Sequence, residues 1–367
     1  MICILPKLLL IHSYDSFVGI VKGKTVVSAR RIKIGHFKDL ISSYIDKIEG
    51  ILQGEINAPK LYNANKKFTR NLSSSLALLA DLGITTILEE NLVTFKSRCK
   101  ELNFLIPDNL VSLYNVVELM RRGATYGFEV IPFDSKPITD KYVMLSEKFV
   151  KLYDGTLFYL DSIDPSVITE TFFLRIHDNF SFEDKIVLDI GAAFGDTAIR
   201  FAKQGATVVA VEPANFEWLT KNIALNKTIA DKIIPLNVAA GKNGQVEIER
   251  VSAFSFDGEA RIHGTNRVHS KETIMLPGLS VKNIITKAGF NSVHYLKSDC
   301  KGCESFFSTE DYNLIKSGVE IECSANNAIL VLEGLKSAEF DTVMWHYESN
   351  NHESLNFNGS ILGRRIV

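Results

Sequence analysis

The sequence predicts an α/β fold around a doubly wound, mostly parallel sheet, and two observations support this prediction. The first is a strand, a turn, a helix and a second strand in close succession between residues 186 and 212. The second is the order that follows, in which strand-like and helix-like stretches alternate as far as two β-prone segments at residues 342–345 and 359–366. Such alternation is typical of a parallel sheet with helices on both faces.

The first strand and its turn follow from the residue types. Residues 186–190 form an apolar run, as in strands that are buried on both faces. Gly191 and Gly195 let the backbone bend tightly, and Asp196 starts a stretch with apolar residues at helical spacing. A second apolar strand, residues 208–211, then delivers Glu212. Together these segments predict one βαβ unit.

The acid at the end of the second strand indicates a nucleoside ligand. Open parallel sheets bind ligands at the carboxyl ends of their strands, and a carboxylate there can accept hydrogen bonds from two ribose hydroxyls. The alternative is an ordinary βαβ turn with an acid on the surface. We expect a ribose over Glu212.

The turn itself narrows the class of nucleoside. A dinucleotide site usually has G-x-G-x-x-G, in which the second glycine makes room for a pyrophosphate. Here the spacing is G-x-x-x-G, Ala193 would crowd a pyrophosphate, and Asp189 would repel phosphates but attract an ammonium or sulfonium group. S-adenosylmethionine carries both of these cations and no phosphate. The predicted cofactor is therefore S-adenosylmethionine, with contacts from Asp189, Gly191, Ala192, Gly195, Glu212, Pro213, Asn237 and Val238.

The role of Asn237 stays open between two interpretations. It follows an apolar strand at the same edge of the sheet, where its amide could hydrogen-bond the edge of the adenine. Asparagine also favours turns for local reasons, so it could simply end the strand.

From about residue 150 to the C-terminus the chain resembles the FkbM-type S-adenosylmethionine-dependent methyltransferases. The resemblance is carried by LDIGAAFGDTA at the turn, VVAVEPANFEWLTKNIALN after it, PLNVAAGKNGQVEI, LKSDCKGCE, and DGTLFYLDSIDPSVITETFF before the core. It implies a Rossmann-like class I methyltransferase fold with seven strands, of which the last is antiparallel. The sequence departs from the family at Ala193, where asparagine is usual, at Lys301, where an acid is usual, and at Cys300 and Cys303, where small apolar residues are usual.

Two acids follow the fourth strand, residues 294–299, and are the predicted catalytic residues. Asp299 and Glu304 stand where a base could orient an acceptor hydroxyl and take its proton, an effect of about 10² to 10⁴ in rate. Each could instead cap a turn. A further alternative is a histidine in the polar stretch 252–273, whose pKa suits a base. The segment WHYESNNHE has no standard spacing for metal ligands, so no metal is expected.

Five cysteines, an odd number in a large chain, argue against a disulfide framework and favour a reducing compartment, and hence a cytoplasmic location. Cys300 and Cys303 form a C-x-x-C, which could indicate a metal or redox site. A structural zinc needs more ligands, and no second C-x-x-C exists. The sequence therefore predicts that both are buried packing cysteines.

The chain is long enough for two domains, and we predict three segments: an N-terminal α/β accessory domain at 1–131, a linker at 132–140 and the methyltransferase-like domain at 141–367. In the first of these, the residues between 87 and 102 are interpreted as an amphipathic helix. Pro132 and Pro137 bracket the linker, PFDSKPITD.

Composition limits the partners. A net charge of −2 and a pI near 6.5 give no basic field, so binding to nucleic acid is not expected, and no segment is long enough to span a membrane. The resemblance implies an acceptor hydroxyl on a sugar, glycolipid or natural product. The alternatives are an RNA methyltransferase with an N-terminal RNA-binding module, and a non-catalytic protein that binds S-adenosylmethionine on the same scaffold.

Overall fold

The structure is a computed structural model of the whole chain. It describes residues 71–250, 260–262, 273–346 and 358–366, apart from residues 73, 90, 108 and 301. The described residues fall into two compact units, which divide between Ser166 and Val167. Short β-prone runs between residues 8 and 28 predict strands, and apolar residues at helical spacing between residues 37 and 52 predict a helix; both segments lie outside the described residues.

The described part of the first unit begins with helical residues 71, 72 and 74–81 and contains two small sheets. An antiparallel three-stranded sheet has the order β1-β2-β3, and a four-stranded sheet has the order β4-β5-β6-β7. Its elements are β1 (Thr85–Glu89), β2 (Leu92–Lys96), β3 (Glu101–Leu105), α1 (Leu110–Tyr126), β4 (Glu129–Pro132), β5 (Tyr142–Leu145), β6 (Phe149–Leu152) and β7 (Leu157–Tyr159).

The helix predicted between residues 87 and 102 is wrong, because these residues lie in the β1–β2–β3 meander. Strand β2 buries Val93 and Phe95, which are two residues apart, and Phe104 of β3 pairs with Val93. An apolar spacing of two places side chains on one face of a strand. A run that mixes apolar and charged residues fits the period of a helix as well as that of a strand. Here the pairing with β3 stabilises the strand.

The predicted linker lies inside a sheet. Residues 132–140 connect β4 to β5, and these two strands pair in parallel from Glu129 with Tyr142 to Pro132 with Leu145. The division between the compact units instead follows β7, within a short helix α2 (Pro165–Ile168) that continues as a π-helix, Thr169–Leu174. The prolines of this stretch mark a connection between two strands of one sheet. Proline can end a strand, but the end of a strand is not the end of a domain.

The second unit contains the predicted βαβ unit and a seven-stranded sheet. Its helices are α3 (Asp196–Lys203), α4 (Phe216–Leu225), α5 (Val281–Lys287), α6 (Thr309–Asn313) and α7 (Ala325–Ser337). Its strands are β8 (Ile186–Ile190), β9 (Thr207–Val211), β10 (Ile233–Leu236), β11 (Ala239–Ala240), β12 (Gly244–Arg250), β13 (Ala260–Ile262), β14 (Thr273–Leu279), β15 (Val293–Ser298), β16 (Ile315–Ser324), β17 (Phe340–His346) and β18 (Asn358–Arg365).

The seven strands have the order β10-β9-β8-β15-β16-β18-β17. Neighbours from β10 to β16 pair in parallel, and β18 is antiparallel to both β16 and β17. The doubly wound sheet, with its last strand reversed, agrees with the prediction. The order changes direction at β8, since β9 lies on one side of it and β15 on the other. Ligands bind at such a point, outside the carboxyl ends of the strands.

The core of this unit explains why the strands are buried on both faces. Val187, Leu188 and Val209 are completely buried in the sheet, and Ile284 and Val331 cover it from helices α5 and α7. A smaller sheet of order β11-β14-β12-β13 follows β10. None of the helices in the described part of the chain has the length and apolarity needed to cross a bilayer.

Candidate functional site

The glycine turn follows β8 as predicted, and its geometry explains both glycines. Gly191 has a φ of 79° and Gly195 a φ of 97°, in the left-handed region that glycine adopts without steric cost. The N–H groups of Gly191 and Ala192 both donate to the carbonyl of Val211, so the turn is tied to the end of β9. After Gly195 the chain enters α3 at Asp196.

The turn also packs against the loop that follows β15. A Cβ at Gly191 would lie 2.2 Å from the carbonyl oxygen of Asp299, which is far inside contact distance. The N–H of Asp299 in turn donates to the carbonyl of Ile190, at 2.9 Å. Gly191 is therefore required by the neighbouring loop as well as by the turn. The structure brings the predicted cofactor turn and the predicted catalytic acid into contact.

Glu212 lies at the carboxyl end of β9, beside the turn, and its carboxylate is held by the backbone. It accepts hydrogen bonds from the N–H groups of Ala193 (2.9 Å), Ala214 (2.7 Å) and Asn215 (2.8 Å). Burial raises the pKa of this carboxyl, and the three N–H groups oppose that rise. Two N–H groups use Oε1 and one uses Oε2. A carboxylate has about four acceptor positions, so Glu212 keeps room for a further donor.

The loops after β9 and β10 are neighbours at this edge. The N–H of Glu212 donates to the carbonyl of Leu236, the last residue of β10. Pro213 is partly exposed, and Asn237 is exposed. The side chain of Val238 instead packs in the core and is 4% exposed. Val238 therefore offers its backbone to this edge, and the predicted cofactor contacts of these residues remain predictions.

A row of charged side chains crosses the middle of the sheet below this edge. Lys297 of β15 is in register with Asp189 of β8 on one side and with Glu320 of β16 on the other. All three side chains are buried. The Nζ of Lys297 lies 3.4 Å from Oδ1 of Asp189, and Oδ2 of Asp189 accepts a hydrogen bond of 2.6 Å from Thr197. We call Asp189, Lys297 and Glu320 the charge row.

The partners of Lys297 and Glu320 favour the charged forms of these two side chains. Burial lowers the pKa of Lys297, but Asp189, Asp299, Asp196 and Glu320 outweigh burial, and the pKa is raised. Burial raises the pKa of Glu320, but the hydrogen bond (2.7 Å) and charge of His177, with Asn179 and Lys297, together outweigh burial, and the pKa is lowered. An ammonium among carboxylates therefore stays protonated inside the sheet.

Asp196 differs from the other buried acids. It is the first residue of α3, and its Oδ2 accepts a hydrogen bond of 2.7 Å from Thr171. Burial raises its pKa to about 6, and the charge on Lys297 only partly opposes this rise. One ammonium cannot fully compensate for the carboxylates that surround it.

The two predicted catalytic acids have different surroundings. Asp299 directly follows β15, is partly exposed, and interacts with the ammonium of Lys297. Glu304 is buried, and its carboxylate accepts hydrogen bonds from the N–H of Gly302 (2.8 Å) and the amide of Asn327 (3.0 Å). Glu304 thus fixes the shape of the loop after β15. Their assignment as catalytic residues remains a prediction.

The prediction that Cys300 and Cys303 are packing cysteines is wrong, and so is the expectation that the chain has no disulfides. Cys300 and Cys303 form a disulfide within the loop after β15, and Cys99 is also disulfide-bonded. Cys323 is free and buried. Counting cysteines missed these bonds because residues three apart in a turn bring their sulfurs together whatever the total number is.

Several predicted alternatives lie outside the described residues. They include Lys301, the histidines between residues 263 and 269, and the acid and second histidine of WHYESNNHE. Of the polar stretch 252–273, the structure describes β13, which pairs antiparallel with β12, and residue 273, where β14 begins.

Sequence reasoning missed the charge row. Lys297 lies in HYLKS and Glu320 in GVEIEC, strands that also carry buried apolar residues, and a charged residue inside a buried strand is a signal that it has a partner. The pairing of Lys297 with Asp189 could not be read from the sequence, because the two residues are more than a hundred positions apart.

Comparison with known proteins agrees with the resemblance. Residues 189–326 match the family model described as the Methyltransferase FkbM domain. The predicted resemblance is confirmed for this stretch, which contains Asp189, Glu212, Lys297, Asp299 and Glu304.

A curated relative and several solved structures are also similar. A tRNA (guanine(37)-N(1))-methyltransferase of Ciona intestinalis is 44% identical over 54 residues, which are 14% of this chain and only 12% of that protein. A ribosomal protein L11 methylase of Lactobacillus delbrueckii is 12% identical, with coverage of 65% of this chain and 95% of that chain, at a TM-score of 0.34. A magnesium protoporphyrin IX methyltransferase of Synechocystis with bound SAM is 9% identical, with coverage of 55% and 79%, at a TM-score of 0.33. Structural similarity this low carries no argument about function.

Proposed function

We propose that this chain, with an FkbM methyltransferase domain at residues 189–326, is a class I S-adenosylmethionine-dependent methyltransferase that methylates a hydroxyl oxygen of a sugar, glycolipid or natural product. One observation carries the proposal. The glycine turn ends the central strand β8, and the strands on its two sides end at Glu212 and Asp299. A residue suited to bind a ribose and a residue suited to orient an acceptor thus flank one turn.

The residues at this edge fit S-adenosylmethionine better than a dinucleotide. Glu212 keeps an acceptor position for a ribose hydroxyl. Ala193 fills space that a pyrophosphate would need, and Asp299 adds a carboxylate on the other side of the turn. Pro213 and the backbone of residues 237 and 238 would border the adenine. When bound, S-adenosylmethionine supplies an electrophilic methyl group next to a positive charge, which carboxylates tolerate and phosphates would not.

Asp189 has an indirect role in this proposal. Its carboxylate is completely buried and faces Thr197 and Lys297, so it does not reach a ligand at the edge. It holds the ammonium of Lys297 in place, and that ammonium interacts with Asp299. The charge row therefore places a positive charge near the acid that meets the acceptor.

Asp299 accepts the hydrogen bond of the acceptor hydroxyl and takes its proton as the oxygen attacks. Since Lys297 stabilises negative charge on Asp299, orientation contributes more than basicity. Glu304 does not touch the acceptor in this scheme. Its bonds to Gly302 and Asn327 hold the loop that carries Asp299.

Calorimetric titration tests the cofactor. The protein should bind S-adenosylmethionine and S-adenosylhomocysteine, and it should not bind NADH. Glu212→Ala should weaken this binding by about 1 to 3 kcal/mol, the usual effect of losing a charged hydrogen-bond partner, while circular dichroism shows an intact fold. Tight binding of NADH alone would overturn the cofactor assignment.

A screen for transferred methyl identifies the acceptor class. It should include sugar and natural-product hydroxyls, and also tRNA transcripts, because the 54-residue match makes RNA methylation the second candidate. With an acceptor in hand, Asp299→Asn should lower turnover at least about 10²-fold and change cofactor affinity by no more than a few-fold. Turnover at the wild-type level would remove Asp299 from the reaction.

A further inference from the structure

The loop after β15 gathers three metal-ligating side chains that the proposed methyl transfer does not use. The sulfurs of Cys300 and Cys303 and a carboxylate oxygen of Glu304 all lie within 4.8 Å of one another. We propose that, once the Cys300–Cys303 disulfide is reduced, these residues form a binding site for one thiophilic divalent cation such as Zn²⁺.

The first argument is that the loop holds the ligands in place without the disulfide. Gly302 has a φ of 135°, which favours glycine, and its N–H donates to Oε2 of Glu304. Asn327 of α7 holds the other oxygen of Glu304. The loop also packs on the smaller sheet, since a Cβ at Gly241 would lie 3.3 Å from the carbonyl of Cys303. Reduction would therefore leave the ligands near their present positions.

The second argument is the contact between Glu304 and a sulfur. Oε2 of Glu304 lies 3.3 Å from Sγ of Cys300. A disulfide sulfur has no proton to donate, so this is a contact between two electron-rich atoms. A cation between the same atoms would make it attractive. Glu304 also has acceptor positions to spare, since the N–H groups of Gly302 and Asn327 use only part of its capacity.

The third argument is distance. Tetrahedral zinc, with Zn–S of about 2.3 Å and Zn–O of about 2.1 Å, requires ligand atoms about 3.6 to 3.8 Å apart. The three ligand atoms already lie within 4.8 Å, so small side-chain rotations are sufficient. Two thiolates and one carboxylate suit zinc, and a water molecule would take the fourth position.

The site opens through thiol–disulfide exchange with a dithiol. Cys300 is partly exposed, so a dithiol can attack its sulfur. The S–S bond breaks, two electrons pass to the cysteines, the dithiol becomes a disulfide, and Cys300 and Cys303 each take a proton. Binding of the cation then releases these two protons to solvent. The oxidised protein has no thiolates here and should not bind.

Cobalt titration of the full chain tests the proposal. The protein is reduced with dithiothreitol, freed of reductant without oxygen, and titrated with Co²⁺. One equivalent should produce thiolate-to-cobalt charge-transfer absorption, which Zn²⁺ then removes. The oxidised protein should show none. Glu304→Gln should weaken Co²⁺ binding at least about tenfold, and Cys300→Ser with Cys303→Ser should abolish it.

Two cysteine variants serve as controls. Cys323→Ser removes the free buried thiol, and Cys99→Ser removes the other disulfide-bonded cysteine, and both should keep the cobalt absorption. Circular dichroism of the reduced protein checks that it remains folded. Absorption that is missing in the folded reduced protein, or that persists in the double serine variant, would overturn the proposal. S-adenosylmethionine binding, measured on the same samples, reports separately on the proposed function.

Discussion

The charge row inside the sheet and the acids at its edge both contain buried carboxylates, but the partners of these carboxylates differ. In the row, Asp189 and Glu320 are buried on either side of Lys297, which carries the opposite charge. At the edge, Glu212 and Glu304 are equally buried, and backbone and amide N–H groups hold them. The row depends on charge, and the edge depends on backbone geometry.

This difference in partners determines what the carboxylates of each region can do. A carboxylate paired with an ammonium has its main partner already and serves to position that ammonium. A carboxylate held by N–H groups remains an acceptor for a ligand hydroxyl. The two regions should therefore respond to different substitutions: the row to loss of a charge, and the edge to an added side chain.

Removal of the ammonium should have the largest effect. Lys297→Met leaves Asp189 buried without its cation, while Glu320 keeps its contact with His177, and this should lower the free energy of unfolding by about 3 to 5 kcal/mol. Chemical denaturation measures it. The matched control is Lys221→Met, which breaks the exposed ion pair with Glu217 and should cost less than about 1 kcal/mol. Equal effects of the two variants would mean that the row contributes nothing specific.

A methyl group at the turn tests the edge. Gly191→Ala puts a Cβ against the carbonyl of Asp299 in addition to the left-handed strain, so it should lower the free energy of unfolding by about 2 to 5 kcal/mol. Gly289→Ala is the matched control, because Gly289 has a φ of 88° and no atom within 4 Å of the added Cβ. It should lose only about 1 kcal/mol. A similar decrease in the free energy of unfolding for both variants would show that the loop at Asp299 moves away from the added Cβ at little cost.

The pH dependence of stability tests the balance of charge near the row. The pKa of Asp196 is about 6 in the folded protein, above its ordinary value of 3.8, so between these values the folded state binds more protons than the unfolded state. The wild type should therefore lose stability as pH rises through this window. Relative to Asp196→Asn, it should lose about 2 to 3 kcal/mol between about pH 4 and pH 7. Parallel pH curves for the two proteins would show that Asp196 is not perturbed.

Relief of backbone strain at the turn should have the smallest effect. Ala193 has a φ of 47°, and asparagine tolerates this conformation better than alanine, so Ala193→Asn should raise the free energy of unfolding by about 0.5 to 1 kcal/mol. Glu339→Asn, at an exposed residue with a φ of 62°, is the control for strain alone. A lower free energy of unfolding for Ala193→Asn would mean that the structure has no space for the atoms that asparagine adds beyond the Cβ.

The site could be predicted in part. Gly191, Gly195 and Glu212 were predictable because their roles depend on local backbone, within one βαβ unit of under thirty residues. Lys297 was not predicted, since its partners Asp189 and Glu320 lie on other strands of the sheet. The disulfide was missed for another reason: the count of cysteines was weighed above their spacing.

By itself the sequence determined the order of the strands and helices in the second unit, because buried strands, glycine turns and helical spacing are local patterns of residue type. Tertiary structure alone decided which charges meet. Register across the parallel strands set Asp189, Lys297 and Glu320 side by side, and the close approach of the loop at Asp299 made Gly191 indispensable. Tertiary pairing also determined that residues 87–102 form strands. A short run of mixed apolar and charged residues is stabilised more by partner strands in a sheet than by its own helical spacing.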